Sequence, residues 1–288
     1  MASSIDLSVI IVSYNNRSVL VDCLDSIERF NDLGDALQVI VVEQSPEDDL
    51  FVFLSESYRN VDVVRNDNRG FGAGNNRGFL EAKGRYLLFL NPDTVIQEPV
   101  FAMAVAIFDA DDKLGLFGGR LLDAGGQRNQ SFYFRNPIGL FRGYVWRALD
   151  RLDLFIPGLM YITGADLFVR AEAFVAAGRF DERMFMYFEE PDLCNRVEAQ
   201  GYRIAYFPEI RIVHLEGKSG IESEKSFGFK LDSLAVYCDK NGVDYLTMLH
   251  RWSRILTFKR MLRNDDRNSL HQMQLIAGRM LRVGKEQK

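Results

Sequence analysis

The chain has 288 residues, 47% of them hydrophobic and 26% charged, with a net charge of −5. A chain this long buries roughly 75% of its unfolded surface, and the composition excludes a wholly disordered chain, a collagen or a coiled coil. The charge is uneven: residues 251–288 hold ten Lys/Arg against three Asp/Glu, a balance of +7, so the other 250 residues carry −12.

Strand and helix signals alternate through the first 120 residues. Leu7–Ser13 is a continuous apolar, β-branched run, the pattern of a strand buried on both faces. Ser18–Phe30 has helical spacing through Leu20, Cys23, Leu24 and Ile27. Leu37–Val42 and Val61–Val64 are the next strands, Gly74–Ala82 a helix, Tyr86–Leu90 a fourth strand, Phe101–Phe108 a helix and Leu114–Phe117 a fifth strand. This order predicts an α/β fold, a mostly parallel sheet with helices on both faces. Leu121–Pro157 is an aromatic-rich excursion or hairpin. Ile162–Val169 returns to strand character, and Asp192–Gln200 is a helix stopped by Gly201. Arg203–Phe207 and Arg211–Leu215 read as two short strands, with helices from Ser226 onward. No domain boundary shows before about residue 220.

In parallel sheets ligands bind at the carboxyl ends of the strands. Here those ends are polar: Tyr14-Asn15-Asn16, Glu43-Gln44-Ser45, Asn66 to Asn76, and Asn91-Pro92-Asp93. Turns favour the same residues, but four such tips on one edge point to a site. Asp93 suits a divalent cation held against phosphates, and equally a cap on a following helix. His214 is structural, or a second ligand if Asp93 stands close. Lys218, with loop amides around Gly217 and Gly220, suits a diphosphate or a solvated turn. Glu189, Glu190 and Asp192 follow an aromatic run, Met184 to Phe188. Crowded carboxylates beside aromatics acquire raised pKa values, which suits a general base. An acidic helix start with Pro191 in its first turn is the other reading.

Several classes lack their signatures. There is no P-loop and no Gly-x-Ser-x-Gly elbow. Gly70-Phe71-Gly72-Ala73-Gly74 follows the third strand and not the first, so it is a poor dinucleotide fingerprint. An acidic body argues against nucleic acid. Cys23, Cys194 and Cys238 form neither a disulfide framework nor a thiolate metal site, so a reduced, cytoplasmic compartment is the simplest fit. The opening residues lack the basic region of a secretory signal. No uncharged apolar run reaches the ~20 residues that span a bilayer.

Taken in order, the motifs resemble an inverting family 2 glycosyltransferase of the GT-A fold, and within it the bacterial rhamnosyltransferase-like group. The resemblance runs from about Ser8 to Lys240. SVIIVSYNN, VIVVEQS, NDNRGFGAGNNRGF, FLNPDT, YITGADLFVRAEAF, GRFDERMFMYFEEPDLCNRVEAQGYRI and IVHLEGKS carry it. It implies a GT-A domain over 1–220, with a nucleotide-sugar half of about 1–120 and an acceptor half of about 121–220. A basic, amphipathic helical extension over 221–288 follows. It implies a divalent metal, Mg²⁺ or Mn²⁺, on Asp93 and His214. Ser13, Tyr14, Asn15, Glu43, Asn68, Gly70, Asn76 and Lys218 are implied nucleotide-sugar contacts. The base position aligns with Glu190, with Glu189 as the alternative and Asp192 in support. Glu43 and Glu190 stand where the family usually has Asp.

The implied reaction transfers a sugar, L-rhamnose from dTDP-L-rhamnose foremost, to a hydroxyl of a lipid-linked surface-polysaccharide acceptor (O-antigen or capsule). The alternatives are a UDP-hexose donor, or a binding module that keeps the fold without the chemistry. A sugar nucleotidyltransferase would need a Gly-rich basic loop after the first strand, and Tyr14-Asn15-Asn16-Arg17 is not one. The implied location is the inner face of the cytoplasmic membrane. In Thr247–Arg263, Met248, Leu249, Trp252, Ile255, Leu256 and Leu262 share one side. That side either meets an anionic membrane or packs on the domain or on a second copy in a homodimer.

Overall fold

The computed structural model describes residues 4–135, 142–215, 223–262 and 267–286. Its first half runs β1 (Leu7–Ser13), α1 (Arg17–Arg29), β2 (Leu37–Glu43), α2 (Asp49–Ser57), β3 (Val61–Arg65), α3 (Phe71–Phe79), β4 (Tyr86–Leu90), β5 (Thr94–Val95), α4 (Phe101–Asp109) and β6 (Leu114–Leu122). It continues with β7 (Phe132–Phe134), α5 (Arg142–Arg151), β8 (Met160–Ile162), β9 (Asp166–Arg170), α6 (Ala171–Ala176), α7 (Glu189–Ala199) and β10 (Arg203–His214). Helices α8 (Glu224–Lys240), α9 (Tyr245–Leu262) and α10 (Arg267–Glu286) close it.

Eight strands form one sheet in the order β3-β2-β1-β4-β9-β6-β10-β5. β3, β2, β1 and β4 are mutually parallel, as are β6 and β10. β9 enters antiparallel between β4 and β6, and β5 pairs antiparallel with the end of β10. Side chains alternate across a strand, and both faces are covered. Leu7, Val9, Ile11, Leu88 and Leu90 enter one core, while Ile10, Leu87 and Phe89 enter the other. That is why these strands read as unbroken apolar runs. The expected α/β, mostly parallel architecture is the one found.

Several local boundaries differ from the sequence reading. α2 was not expected, because its buried stripe is only Leu50 and Leu54 and Val52 faces solvent. α3 begins at Phe71, so much of the glycine-rich stretch is helix and not loop. Its glycines let it press onto the sheet: a Cβ at Gly78 would lie 2.5 Å from Ile10 Cγ2. Ile162–Val169 is two strands, because the chain leaves a β7–β8 ribbon and enters the main sheet across 163–165. The two short strands after Gly201 are one, β10, with a register shift between Phe207 and Arg211.

The extension has a core of its own, in which Phe227, Leu231, Leu234 and Cys238 meet Met248, Leu249, Leu256 and Ile276. Most of the apolar side expected on α9 is therefore packed within the chain, with Trp252 edge-on to Phe227 at 5.4 Å. Among the described residues no helix is long and apolar enough to cross a membrane. All three cysteines are free and buried.

Candidate active site

Two cavities open at the carboxyl ends of the strands. One, of about 700 Å³, lies over β1 to β3 and is lined by Tyr14, Gln44, Ser45, Pro46, Arg65 and residues 66–68. The other, of about 750 Å³, includes Asn16, Phe71, Asn91, Asp93, Tyr133, Gly164, Tyr187, Glu189, Glu190 and His214 in its wall. The loop after β1 supplies residues to both.

Asp93 follows β4, and no helix starts there for it to cap, because Thr94–Val95 is a strand. β5 pairs Thr94 with His214, and the Leu215 N–H donates to the Asp93 carbonyl at 2.8 Å. The pairing sets His214 Nε2 3.2 Å from Asp93 Oδ1. Asn91 Nδ2 lies 3.4 Å from the same ring nitrogen. A carboxylate and an imidazole, 28% and 12% exposed, suit Mg²⁺ or Mn²⁺ shared with substrate phosphates. Among the described residues no three His, Cys, Asp or Glu side chains gather as a self-sufficient metal site.

Glu189 and Glu190 open α7, and both line the larger cavity. Glu190 Oε1 accepts the Gly164 N–H at 3.1 Å. A Cβ at Gly164 would sit 2.9 Å from that oxygen, so a larger residue there would push the carboxylate aside. Burial raises the Glu190 pKa from its ordinary value. Glu189 is 3% exposed, and its Oε2 makes no hydrogen bond. Burial first and the neighbouring Glu190 charge second push its pKa well up. Asp192 is buried away from the cavity and pairs with Arg196 and Lys240, each at 2.7 Å.

The candidate nucleotide residues divide into two groups. Tyr14 and Asn68 line the smaller cavity together. Ser13, Asn15 and Glu43 shape its floor: Ser13 Oγ donates to Asn16 Oδ1, the Asn15 N–H to Ser45 Oγ, and the Ser45 N–H to Glu43 Oε1. Glu43 is fully buried with Oε2 unbonded. Gly70 supports the turn into α3, its N–H donating to Asn68 Oδ1. Asn76 lies behind the wall, its amide spent on the Phe180 backbone and Glu182. Lys218 lies outside the described residues, as do Gly217 and Gly220. The sequence reading missed Arg65, which pairs with Asp48 and donates to the Ser45 carbonyl. It named neither Tyr133 nor Tyr187 individually as site residues, and both line the larger cavity.

Comparisons with known proteins bear on the family and the fold. The family description "Glycosyl transferase family 2" matches residues 8–168. Rhamnosyltransferase WbbL of Escherichia coli is 24% identical over 233 residues, 72% of this chain and 82% of that protein. The N-acetylglucosaminyl-diphospho-decaprenol L-rhamnosyltransferase of Mycobacterium tuberculosis is 39% identical over 91 residues, 31% of this chain and 27% of that protein. The solved mannosyltransferase PcManGT from Pyrobaculum calidifontis, in complex with GDP-Man and Mn²⁺, superposes with a TM-score of 0.58 at 14% identity. That match covers 97% of this chain and 75% of the neighbour, and it bears on the fold alone. The chain belongs to glycosyl transferase family 2 and is a glycosyltransferase of the GT-A fold.

Proposed function

We propose that the protein transfers a sugar from a nucleoside diphosphate to an acceptor hydroxyl with inversion, and that the donor is dTDP-L-rhamnose. The observation that carries this reading is that Asp93 with His214, and Glu190, face one cavity. The two rhamnosyltransferases among the relatives support the donor. Residues 1–220 form the transferase unit, and 221–288 the extension.

Glu190 takes the proton of the acceptor hydroxyl as its oxygen attacks the anomeric carbon. The bond from that carbon to the diphosphate oxygen breaks on the opposite face, and the nucleoside diphosphate leaves. A raised pKa makes the carboxylate a stronger base than a solvated one. Glu189, deeper in the wall, is the alternative base. Asp93 and His214 would hold a divalent cation, which would supply positive charge to stabilise the departing diphosphate. Tyr14, Asn68 and the floor built by Ser13, Asn15 and Glu43 receive the nucleoside, with Gly70 and Asn76 holding the loop and helix behind it.

The acceptor is a lipid-linked surface glycan met at an anionic membrane. Exposed Arg251, Arg254 and Arg260, beside exposed Phe258 and Met261 on α9, support that contact.

Thermal unfolding with dTDP-rhamnose, UDP-glucose, UDP-galactose and GDP-mannose, with and without Mn²⁺, tests the reading. A ligand at 100 times its Kd adds about 2.7 kcal/mol. A metal-dependent rise with dTDP-rhamnose alone is expected. A rise only with a UDP-hexose moves the donor. Silence across the panel from folded protein counts against this donor and favours a binding module.

A further inference from the structure

Four consecutive residues lead into the Glu189–Glu190 pair, and α8 of the extension holds each one. The Phe185 ring stacks on Phe229 at 4.2 Å. The Met186 carbonyl accepts from Ser233 Oγ at 2.9 Å. The Tyr187 hydroxyl and Ser226 Oγ share a 2.7 Å hydrogen bond, and Lys230 Nζ lies 4.7 Å from the centre of the tyrosine ring. The Phe188 ring packs on Tyr237 at 5.4 Å. Past the pair, Lys240 Nζ reaches Asp192 at 2.7 Å and Asp181 at 2.8 Å. Positions 226, 229, 230, 233, 237 and 240 recur at three- and four-residue steps, so one stripe of α8 makes every contact.

The segment so held is strained. Tyr187 and Phe188 have φ of +73° and +70°, in the left-handed region that bulky side chains avoid. Such a conformation persists only where its surroundings over-determine it. From the opposite side the Phe71 N–H donates to the Phe185 carbonyl at 2.9 Å. The turn is thus gripped between the start of α3 and the α8 stripe. Its product is the start of α7, where the Asp192 N–H bonds the Phe188 carbonyl and both glutamates border the cavity.

We propose that the α8 stripe keeps this turn in its strained form and so aims the base carboxylate, with Ser233 and Lys240 as positioning residues. The extension is then part of the catalytic apparatus, beyond any role at a membrane. This rests on the reading of Glu190 or Glu189 as the base. Ser233 is 1% exposed, and removing its hydroxyl takes this donor from the Met186 carbonyl. The turn then relaxes toward ordinary φ values, and the carboxylate swings. A displacement near 1 Å costs about 100-fold in rate.

The test is a double-mutant cycle on the full chain. Ser233→Ala is combined with Glu190→Gln, or with Glu189→Gln if that loses more, and transfer is read in single turnover. Ser233→Ala is expected to lower kcat about 10- to 100-fold with the donor KM unchanged. It is expected to cost nothing further in the Gln background. Ser226→Ala and Lys240→Met should follow the same pattern, with Lys240→Arg recovering rate. An equal loss in both backgrounds, or no loss at all, overturns the positioning role while the base assignment stands. Full turnover by both Gln variants overturns the base assignment, and the positioning role with it.

Discussion

His214 Nε2 stands 3.2 Å from Asp93 Oδ1 because the two-residue strand Thr94–Val95 pairs with the last residues of the strand that ends at His214. One short antiparallel pairing therefore builds the candidate cation site from two distant parts of the chain. The same pairing gives the Leu215 amide to the Asp93 carbonyl, fixing the loop that carries the carboxylate.

Asp93→Asn and His214→Ala should each lower transfer by about 100-fold or more at saturating donor and Mn²⁺, the usual scale for losing charge stabilisation at a leaving group. Titration of activity against Mn²⁺ should show a weakened midpoint in the His214 variant. Full activity of Asp93→Asn under saturating conditions would contradict the assignment.

Glu190→Gln should reduce turnover by about 10²- to 10⁴-fold, the range of general-base catalysis, with donor binding kept. A larger loss from Glu189→Gln transfers the role to the more buried neighbour. Gly164→Ala should lower kcat in a folded enzyme, because the new Cβ would displace the Glu190 carboxylate. The acidic limb of kcat/KM should fall above about pH 4.3, the ordinary glutamate value, because burial raises the Glu190 pKa.

Asp166 gives a stability prediction that is independent of the cleft. It is fully buried, accepts one bond from the Gly119 N–H at 2.8 Å, and has its pKa pushed well up by burial. Raised in the fold, it stabilises below its unfolded pKa of about 3.9. That contribution is lost as pH rises through the folded value. Asp166→Asn keeps the acceptor oxygen and carries no charge, so its Tm should exceed the parent's at pH 7. The gain should shrink as pH falls toward 4. A lower Tm at pH 7 would show that the charge is compensated.

The basic surface of α9 can be tested without deleting helices whose side chains fill the extension's core. Arg251→Gln with Arg254→Gln should weaken co-sedimentation with phosphatidylglycerol vesicles about 30-fold, at about 1 kcal/mol per basic residue. Unchanged binding would remove α9 from the membrane contact.

The amino-acid sequence by itself determined the layered α/β plan. Strands covered on both faces must be apolar at nearly every position, so Leu7–Ser13 and Tyr86–Leu90 are legible without partners. It also marked the polar strand tips and the acidic start of α7, because turns and helix ends have strong local chemistry. It left α2 hidden, since two buried leucines in nine residues make too thin a stripe. It also divided β10, because Pro208 interrupts a run that long-range pairing with β6 keeps whole.

Only the tertiary structure decided which candidates meet. Pairing between β5 and β10 joins Asp93 to His214, and the close pass of Gly164 turns Glu190 toward the cavity. Packing of α7 on α8 withdraws Asp192 into ion pairs. The left-handed turn at Tyr187 and Phe188 carries no local signal, because neither residue favours that conformation and contacts from α3 and α8 impose it. Local propensity writes helices and strands into short windows of sequence, whereas a site assembled across the sheet depends on contacts between segments that no window contains.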